Sequence, residues 1–138
     1  MFKHRHIASL LILIFVPVMA TAQLTPRAEE GVLDLRTYDF SASGHFKVEG
    51  EWKFYWEQFV DPFLRTDTGS VFAPVPSGWV QLQDQVAGIG AEGFASYHLK
   101  ILMPRETDRL ALRVAEVFSG SGYYVNGKNI GFNGFPGA

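Results

Sequence analysis

The sequence predicts an all-β protein, built as a sandwich or barrel of short strands. Apolar and polar residues alternate with a period of two in several segments, and turn-forming residues separate these segments at short intervals. The chain contains 14 glycines and 7 prolines, and helical spacing is limited to one short segment. Short alternating segments between frequent turns are typical of all-β sandwiches and barrels.

Residues 1–22 have the three parts of a secretory signal peptide. A basic start, MFKHRH, precedes an apolar stretch, IASLLILIFVPVM, and Ala20-Thr21-Ala22 matches the pattern of a cleavage site. A transmembrane helix needs about 20 apolar residues, whereas this stretch is shorter and contains Pro17. We therefore expect cleavage after Ala22 and a periplasmic or otherwise extracytoplasmic location for the remainder.

Cleavage would leave about 116 residues, enough for one domain with its own core. Removal of Lys3 and Arg5 leaves ten basic against fourteen acidic side chains, a formal net charge of −4 (10 − 14). Binding to nucleic acid is not expected, because a phosphate-binding surface needs an excess of basic residues. The chain has no cysteine, which excludes disulfides, thiol redox chemistry and thiolate zinc sites.

Two strands are predicted in the first part of the mature chain. Residues 23–31 form a polar lead-in that we expect to be a loose terminus. A short strand begins at Val32 and ends by Asp39. Residues 45–56 form a half-buried strand with alternate residues on one face: Phe46, Val48, Gly50, Trp52, Phe54 and Trp56. Inward alternation assigns Trp52, Phe54 and Trp56 to the core.

Helical spacing competes with the strand pattern over residues 52–63, where aromatic and apolar residues recur three and four positions apart. We assign a strand to about Tyr55, followed by a short helical turn from Trp56 to Asp61-Pro62. A further extended segment begins at Phe72.

Proline and glycine then divide the chain. Pro74 and Pro76 place the segment that begins at Phe72 at the edge of a sheet, because proline cannot donate a ladder hydrogen bond. Residues 77–93, SGWVQLQDQVAGIGAEG, form a long loop. The next segment, FASYHLKILM, alternates again and ends at Pro104.

Two more extended elements follow. The segment RLALRVAEV places Leu110, Leu112 and Val114 on one side. The segment GYYVNGKNIGFNG predicts a β-hairpin, because Asn126-Gly127 readily takes positive φ at both central positions of a type I′ turn. The same segment does not match a phosphate-binding glycine loop, since its glycines lack the required order and no G-K-[ST] triplet occurs.

Five motifs in order carry a resemblance to a known family. They are GEWKFYW, VPSGW, GFASYHLKILMP, LALRVAEV and YYVNGKNIGFNG. This series resembles the galactose-binding-like jelly roll at the N-terminus of bacterial seven-transmembrane receptors with diverse intracellular signalling modules, and of related membrane-bound diguanylate cyclases and histidine kinases. It is similar, more distantly, to the non-catalytic sugar-binding domain of β-galactosidases and β-glucuronidases.

The resemblance covers Val32 to Gly137 and implies a galactose-binding-like jelly-roll sandwich over residues 32–138. Such jelly rolls contain several more strands, so we expect this chain to lack the C-terminal strands of the domain. About eight strands close the two sheets of a jelly roll. We therefore expect the chain to be the front part of a longer sensor and to be marginally stable alone.

No enzymatic activity is expected. A glycosidase needs two carboxylates that flank the scissile bond, whereas Asp34, Glu49 and Glu51 alternate with apolar residues and are expected to face solvent. The serines lack the G-x-S-x-G pattern of a nucleophile elbow. His45 and His98 are isolated in the sequence, and no cofactor is indicated.

Ligand binding has a physical basis in the long loop. Sugars and similar polar molecules are bound by aromatic faces together with a few fixed amide or carboxylate groups. The loop supplies Trp79, Gln81, Gln83 and Asp84, which form our candidate site. The alternative is that Trp79 closes the bottom of the sandwich and that the glutamines only face solvent.

Two functions follow from the sequence. The first is a periplasmic sensory domain that binds a carbohydrate or another hydroxylated or carboxylated small molecule and signals to an attached or neighbouring membrane module. The second is a structural or protein-interaction jelly roll without a small-molecule ligand. Neither function involves nucleic acid.

Overall fold

The computed structural model describes residues 25–43, 45–61, 69–105, 109–114 and 119–134. Within these ranges the strands are β1 (Val32–Asp34), β2 (Gly50–Trp56), β3 (Val71–Val75), β4 (Ala95–His98), β5 (Lys100–Leu102), β6 (Ser121–Val125) and β7 (Lys128–Asn133). A short helix, α1 (Phe40–Ser43), and one 3₁₀ turn (Trp79–Leu82) accompany them.

The largest sheet is centred on β2. β3 pairs antiparallel with one edge of β2, and β4 pairs antiparallel with the other. Within the described residues β3 has β2 as its one strand partner, so the prediction of an edge strand is confirmed. Pro74 lies opposite Glu51 in this pair, a position that the edge strand tolerates because no third strand needs its missing N–H.

A close backbone contact links the N-terminal segment to the start of β2. The Ala28 N–H donates to the Glu49 carbonyl at 2.8 Å, and the Glu51 N–H donates to the Ala28 carbonyl at 2.8 Å. Gly50 lies between these bonds with a φ of 126°, and a Cβ there would lie 2.3 Å from the Ala28 carbonyl oxygen. This contact therefore requires glycine. The lead-in predicted over residues 23–31 is hydrogen-bonded to β2 from Ala28 onward.

A single extended segment changes its partner at Leu99. Before this residue β4 pairs with β2, and after it β5 pairs in parallel with β1, with Val32 opposite Lys100. The Lys100 N–H also donates to the Gly31 carbonyl at 2.9 Å. The alternating segment that begins at Phe94 is thus divided between two sheets.

The predicted Asn-Gly hairpin is confirmed. β6 and β7 pair antiparallel, and the two residues between them, Asn126 and Gly127, have φ angles of 48° and 77°. Positive φ at both positions is the requirement of a type I′ turn. The register shifts beside Tyr123 and Tyr124, which indicates a β-bulge in the hairpin.

The buried apolar residues of the described ranges form two clusters, with the exception of Tyr55, which is 3% exposed and belongs to neither. The first is centred on Ala28, Leu33 and Leu35, with Tyr38, Phe40, Phe46, Val48, Trp52 and Leu99 packed around it. The second is centred on Phe54, Ala73 and Leu82, with Trp56, Val71, Trp79, Val86, Ile89 and Ala95 around it. The core assignment of the β2 aromatics therefore holds for Phe54, which is 0% exposed, while Trp52 and Trp56 are partly buried at the cluster margins.

Several local predictions are not met in full. The strand predicted over residues 45–56 begins only at Gly50, since residues 45–49 form no strand. β2 continues through Trp56, and Glu57 then has a φ of 51°, so the chain turns without forming the predicted helical turn over the described residues 57–61. The Ser96 hydroxyl fixes this stretch by accepting the Val60 N–H at 3.1 Å and donating to the Gln58 carbonyl at 2.6 Å. Pro62 lies outside the described residues.

The predicted strand around Leu110, Leu112 and Val114 is also absent from the described part of its range. Residues 109–114 form no strand, and the three apolar side chains are between 42% and 58% exposed. A strand needs a hydrogen-bonding partner as well as an alternating pattern. Residues 115–117 of the predicted strand lie outside the described ranges.

The architecture is mostly β, with several small sheets and few helices. In the part of the chain that the structure describes, no helix is long and apolar enough to cross a membrane. The predicted signal peptide, residues 1–22, lies outside the described residues.

We predict that Gly50→Ala destabilises the protein by about 2 kcal/mol or more, because the added methyl group would collide with the Ala28 backbone at an unfavourable φ. Gly78→Ala is the matched control. A Cβ at Gly78 meets no atom within 4 Å, and its φ is −78°. Urea unfolding of both variants measures the difference; equal midpoints would contradict the close contact between Ala28 and Gly50.

We predict that Gly127→Val destabilises the hairpin by roughly 1–2 kcal/mol, because a β-branched residue is strained at positive φ. Gly131→Val serves as the control, since a Cβ at this β7 position meets no atom within 4 Å. Amide hydrogen exchange over residues 121–133 measures the effect locally. Unchanged protection in Gly127→Val would contradict a type I′ turn at Asn126-Gly127.

Candidate functional site

The candidate site is the loop between β3 and β4, residues 76–93, which we call the β3–β4 loop. It begins after Val75 and contains the 3₁₀ turn from Trp79 to Leu82. The Ser77 hydroxyl donates to the Pro74 carbonyl at the start of the loop. The Gln85 and Val86 N–H groups both donate to the Leu82 carbonyl at 2.9 Å, which continues the turn.

Two contacts hold this loop, one with the sheet and one within the loop. Leu82 is 2% exposed and belongs to the second core cluster with Phe54 and Ala73. The Trp79 indole N–H donates to the Gly90 carbonyl at 2.8 Å, so it joins the two ends of the loop. The loop therefore has a preformed backbone, as small-molecule sites usually do.

Trp79 helps to hold the loop on the sheet. Its ring packs edge to face on Trp56, with ring centroids 5.3 Å apart, and it is partly buried against the second cluster. Gly93 makes room for this arrangement, because a Cβ there would lie 2.3 Å from the Trp56 ring. The indole N–H of Trp79 is already hydrogen-bonded within the protein, to the Gly90 carbonyl.

The three polar residues of the predicted site lie on the outer side of the same turn. Gln81, Gln83 and Asp84 are all exposed, as is Gln85 beside them. Val80, in the same 3₁₀ turn, is 45% exposed. Three amides and one carboxylate are thus exposed between Gln81 and Gln85, while Trp79 is partly buried against the second cluster.

An aromatic pair beside the loop was not singled out from the sequence. Phe94 follows the last loop residue and stacks on Phe59, with ring centroids 4.5 Å apart and an angle of 16° between the planes. Phe59 is 63% exposed. The pair forms because the Glu57 N–H donates to the Phe94 carbonyl at 2.9 Å, a contact between distant residues that no local pattern reveals.

Three side chains, Asp34, Asp39 and Tyr97, have a shifted pKa, and each shift has a local structural cause. Hydrogen bonds from the Arg36 side chain lower the pKa of Asp34 to about 2. Hydrogen bonds from Ser41 lower the pKa of Asp39 at the start of α1. Burial raises the pKa of Tyr97 in β4. Each of these groups stabilises a turn or lies in the sheet, outside the β3–β4 loop.

No metal-binding group was found in the described ranges: they contain no cluster of three or more histidine, aspartate or glutamate side chains. His45 and His98 are both exposed. The arrangement of the β3–β4 loop suits hydrogen bonding to a polar molecule, with amides that donate and accept and a carboxylate that accepts.

No protein-family model, curated protein or solved structure matched this chain in the comparisons. Conclusions about function therefore depend on the residues and geometry described above.

We predict that Trp79→Phe lowers the free energy of unfolding by about 1 kcal/mol, because the Gly90 carbonyl loses its donor. Trp52→Phe is the matched control, since the buried Trp52 indole N–H has no hydrogen-bond partner among the described residues. Thermal melting of both variants gives the comparison. A larger loss for Trp52→Phe would contradict a structural role for the bond between Trp79 and Gly90.

Proposed function

We propose that this protein is the periplasmic ligand-sensing domain of a bacterial membrane signalling receptor, with a galactose-binding-like jelly roll as its complete fold. The ligand is a carbohydrate or another small polar molecule. It binds at the β3–β4 loop and acts on an attached or neighbouring membrane module. The domain itself carries out no reaction.

One observation carries the ligand-binding proposal: the β3–β4 loop exposes several polar side chains, while contacts inside the protein hold its backbone in place. Leu82 and the bond from Trp79 to Gly90 hold the loop, while Gln81, Gln83 and Asp84 are exposed. A preformed loop reduces the entropy lost when a ligand binds, because its backbone does not have to be ordered.

The roles of these residues differ. Gln81, Gln83 and Asp84 are the groups that would contact a ligand, since they are exposed and have matching hydrogen-bonding capacity. Trp79 holds the loop in place through its bond to Gly90 and its packing on Trp56. Phe59 and Phe94 offer a second aromatic surface at the end of the loop.

Exposed apolar residues favour a second candidate function, a protein-interaction domain without a small-molecule ligand. Large apolar side chains are exposed in the last two described segments: Leu110, Leu112, Val114, Tyr124, Val125, Ile130 and Phe132. Within the described residues the hairpin of β6 and β7 pairs with no other strand. A two-stranded hairpin is marginal alone in water, so a packing partner would stabilise it.

We predict that a ligand of the site raises the melting temperature of residues 23–138 when a panel of sugars and organic acids is screened. A ligand at one hundred times its dissociation constant adds about 2.7 kcal/mol to the free energy of unfolding, provided that it binds the folded state alone. The double variant Gln81→Ala/Asp84→Ala should lose most of this response. Its own melting temperature should stay close to that of the wild type, because both side chains are exposed.

The control is Glu57→Gln, a change at an exposed residue outside the loop. It should keep the full response to the ligand. A panel without any response in the wild type would favour the interaction domain. A normal response in the double variant would show that the ligand binds elsewhere.

A further inference from the structure

We propose that the β3–β4 loop discriminates against anionic ligands and that Asp84 is the residue that sets this preference. The inference rests on the proposed function and narrows its ligand class. Among the hydroxylated and carboxylated molecules that a sensor of this kind could bind, the loop selects neutral hydroxylated ones.

The first reason is the charge of the loop. Residues 76–93 contain two acidic residues, Asp84 and Glu92, and no lysine, arginine or histidine. Residues 76–93 themselves therefore offer no cation to bind a carboxylate or a phosphate, the groups that proteins usually recognise through arginine or lysine.

The second reason is the hydrogen-bonding capacity of the exposed groups. An ionised aspartate only accepts hydrogen bonds, so a group that binds Asp84 must donate one. A sugar hydroxyl donates and accepts, and it can therefore bind both Asp84 and the amides of Gln81, Gln83 and Gln85. A ligand carboxylate has only acceptors, so it would find no donor at Asp84 and would be repelled by its charge.

The third reason is the fixed position of Asp84 in the loop. It follows the 3₁₀ turn that the buried Leu82 holds in place, and the backbone on both sides of it is hydrogen-bonded: the Gln83 N–H donates to the Val80 carbonyl at 3.3 Å and the Gln85 N–H to the Leu82 carbonyl at 2.9 Å. The backbone cannot readily carry the carboxylate away from an approaching anion. The repulsion between the Asp84 carboxylate and an anionic ligand should therefore lower the affinity for that ligand relative to a neutral one.

The test compares ligands that differ in one group. Galactose and galacturonate share a ring, as do glucose and glucuronate, and each acid replaces a hydroxymethyl group by a carboxylate. The melting temperature of residues 23–138 is measured with each of the four at low ionic strength. We expect a larger rise with the neutral sugar, with an affinity difference of about fivefold, the factor for two like charges about 4 Å apart in water.

Two variants locate the effect. Asp84→Lys should raise the affinity for the uronate relative to its sugar, and salt at about 1 M should reduce this change by screening. Glu29→Lys alters the net charge by the same amount at an exposed residue outside the loop and should leave the preference unchanged.

The outcomes separate the inference from the proposed function. A uronate that binds the wild type as well as its sugar overturns the inference while ligand sensing stands. An equal change of preference in Asp84→Lys and Glu29→Lys assigns the effect to net charge and also overturns it. No response to any of the four compounds, together with no response in the wider panel, overturns both.

Discussion

Backbone hydrogen bonds along both edges of β2 hold the described N-terminal part of the protein together. β3 occupies one edge, while β4 and the segment around Ala28 share the other. This sharing depends on Gly50, because a side chain there would collide with the Ala28 backbone. The two core clusters lie along the same strand, with Trp52 at the margin of one and Phe54 at the centre of the other.

The arrangement explains why the β3–β4 loop is well held although it contains little regular structure. β3 and β4, which carry its two ends, are both bonded to β2, so the separation of these ends is fixed by the sheet. Apolar residues of the loop, such as Leu82 and Ile89, then pack onto the face that Phe54 provides. Polar residues of the same loop are left at the surface.

Local signals in the sequence predicted the elements that depend on local chemistry. The hairpin at Asn126-Gly127 follows from two residues that accept positive φ, and the edge position of β3 follows from Pro74. A similar two-residue turn at Glu30-Gly31, with φ angles of 47° and 76°, was missed because glutamate rarely adopts this conformation. The polar residues of the candidate site were chosen from composition, and their role in binding stays a prediction.

Features that depend on distant partners could not be predicted in this way. The turn after Trp56 replaces a helical turn because Ser96, far along the chain, hydrogen-bonds to Gln58 and Val60. The alternating pattern around Leu112 fits a strand, yet the described residues there have no strand partner. The stack of Phe59 on Phe94 likewise depends on a contact between separate segments.

The parallel pairing of β1 with β5 has a consequence for folding. Val32 and Lys100 are neighbours in the sheet, although most of the described chain lies between them. A contact of this kind raises the contact order, and the entropy of closing so long a loop must be lost before the pairing stabilises the protein. Leu33 can become fully buried only after β5 has been synthesised. The start of the domain therefore stays open to proteases and to aggregation until β5 can pair with β1, and its folding should be slow compared with that of the hairpin.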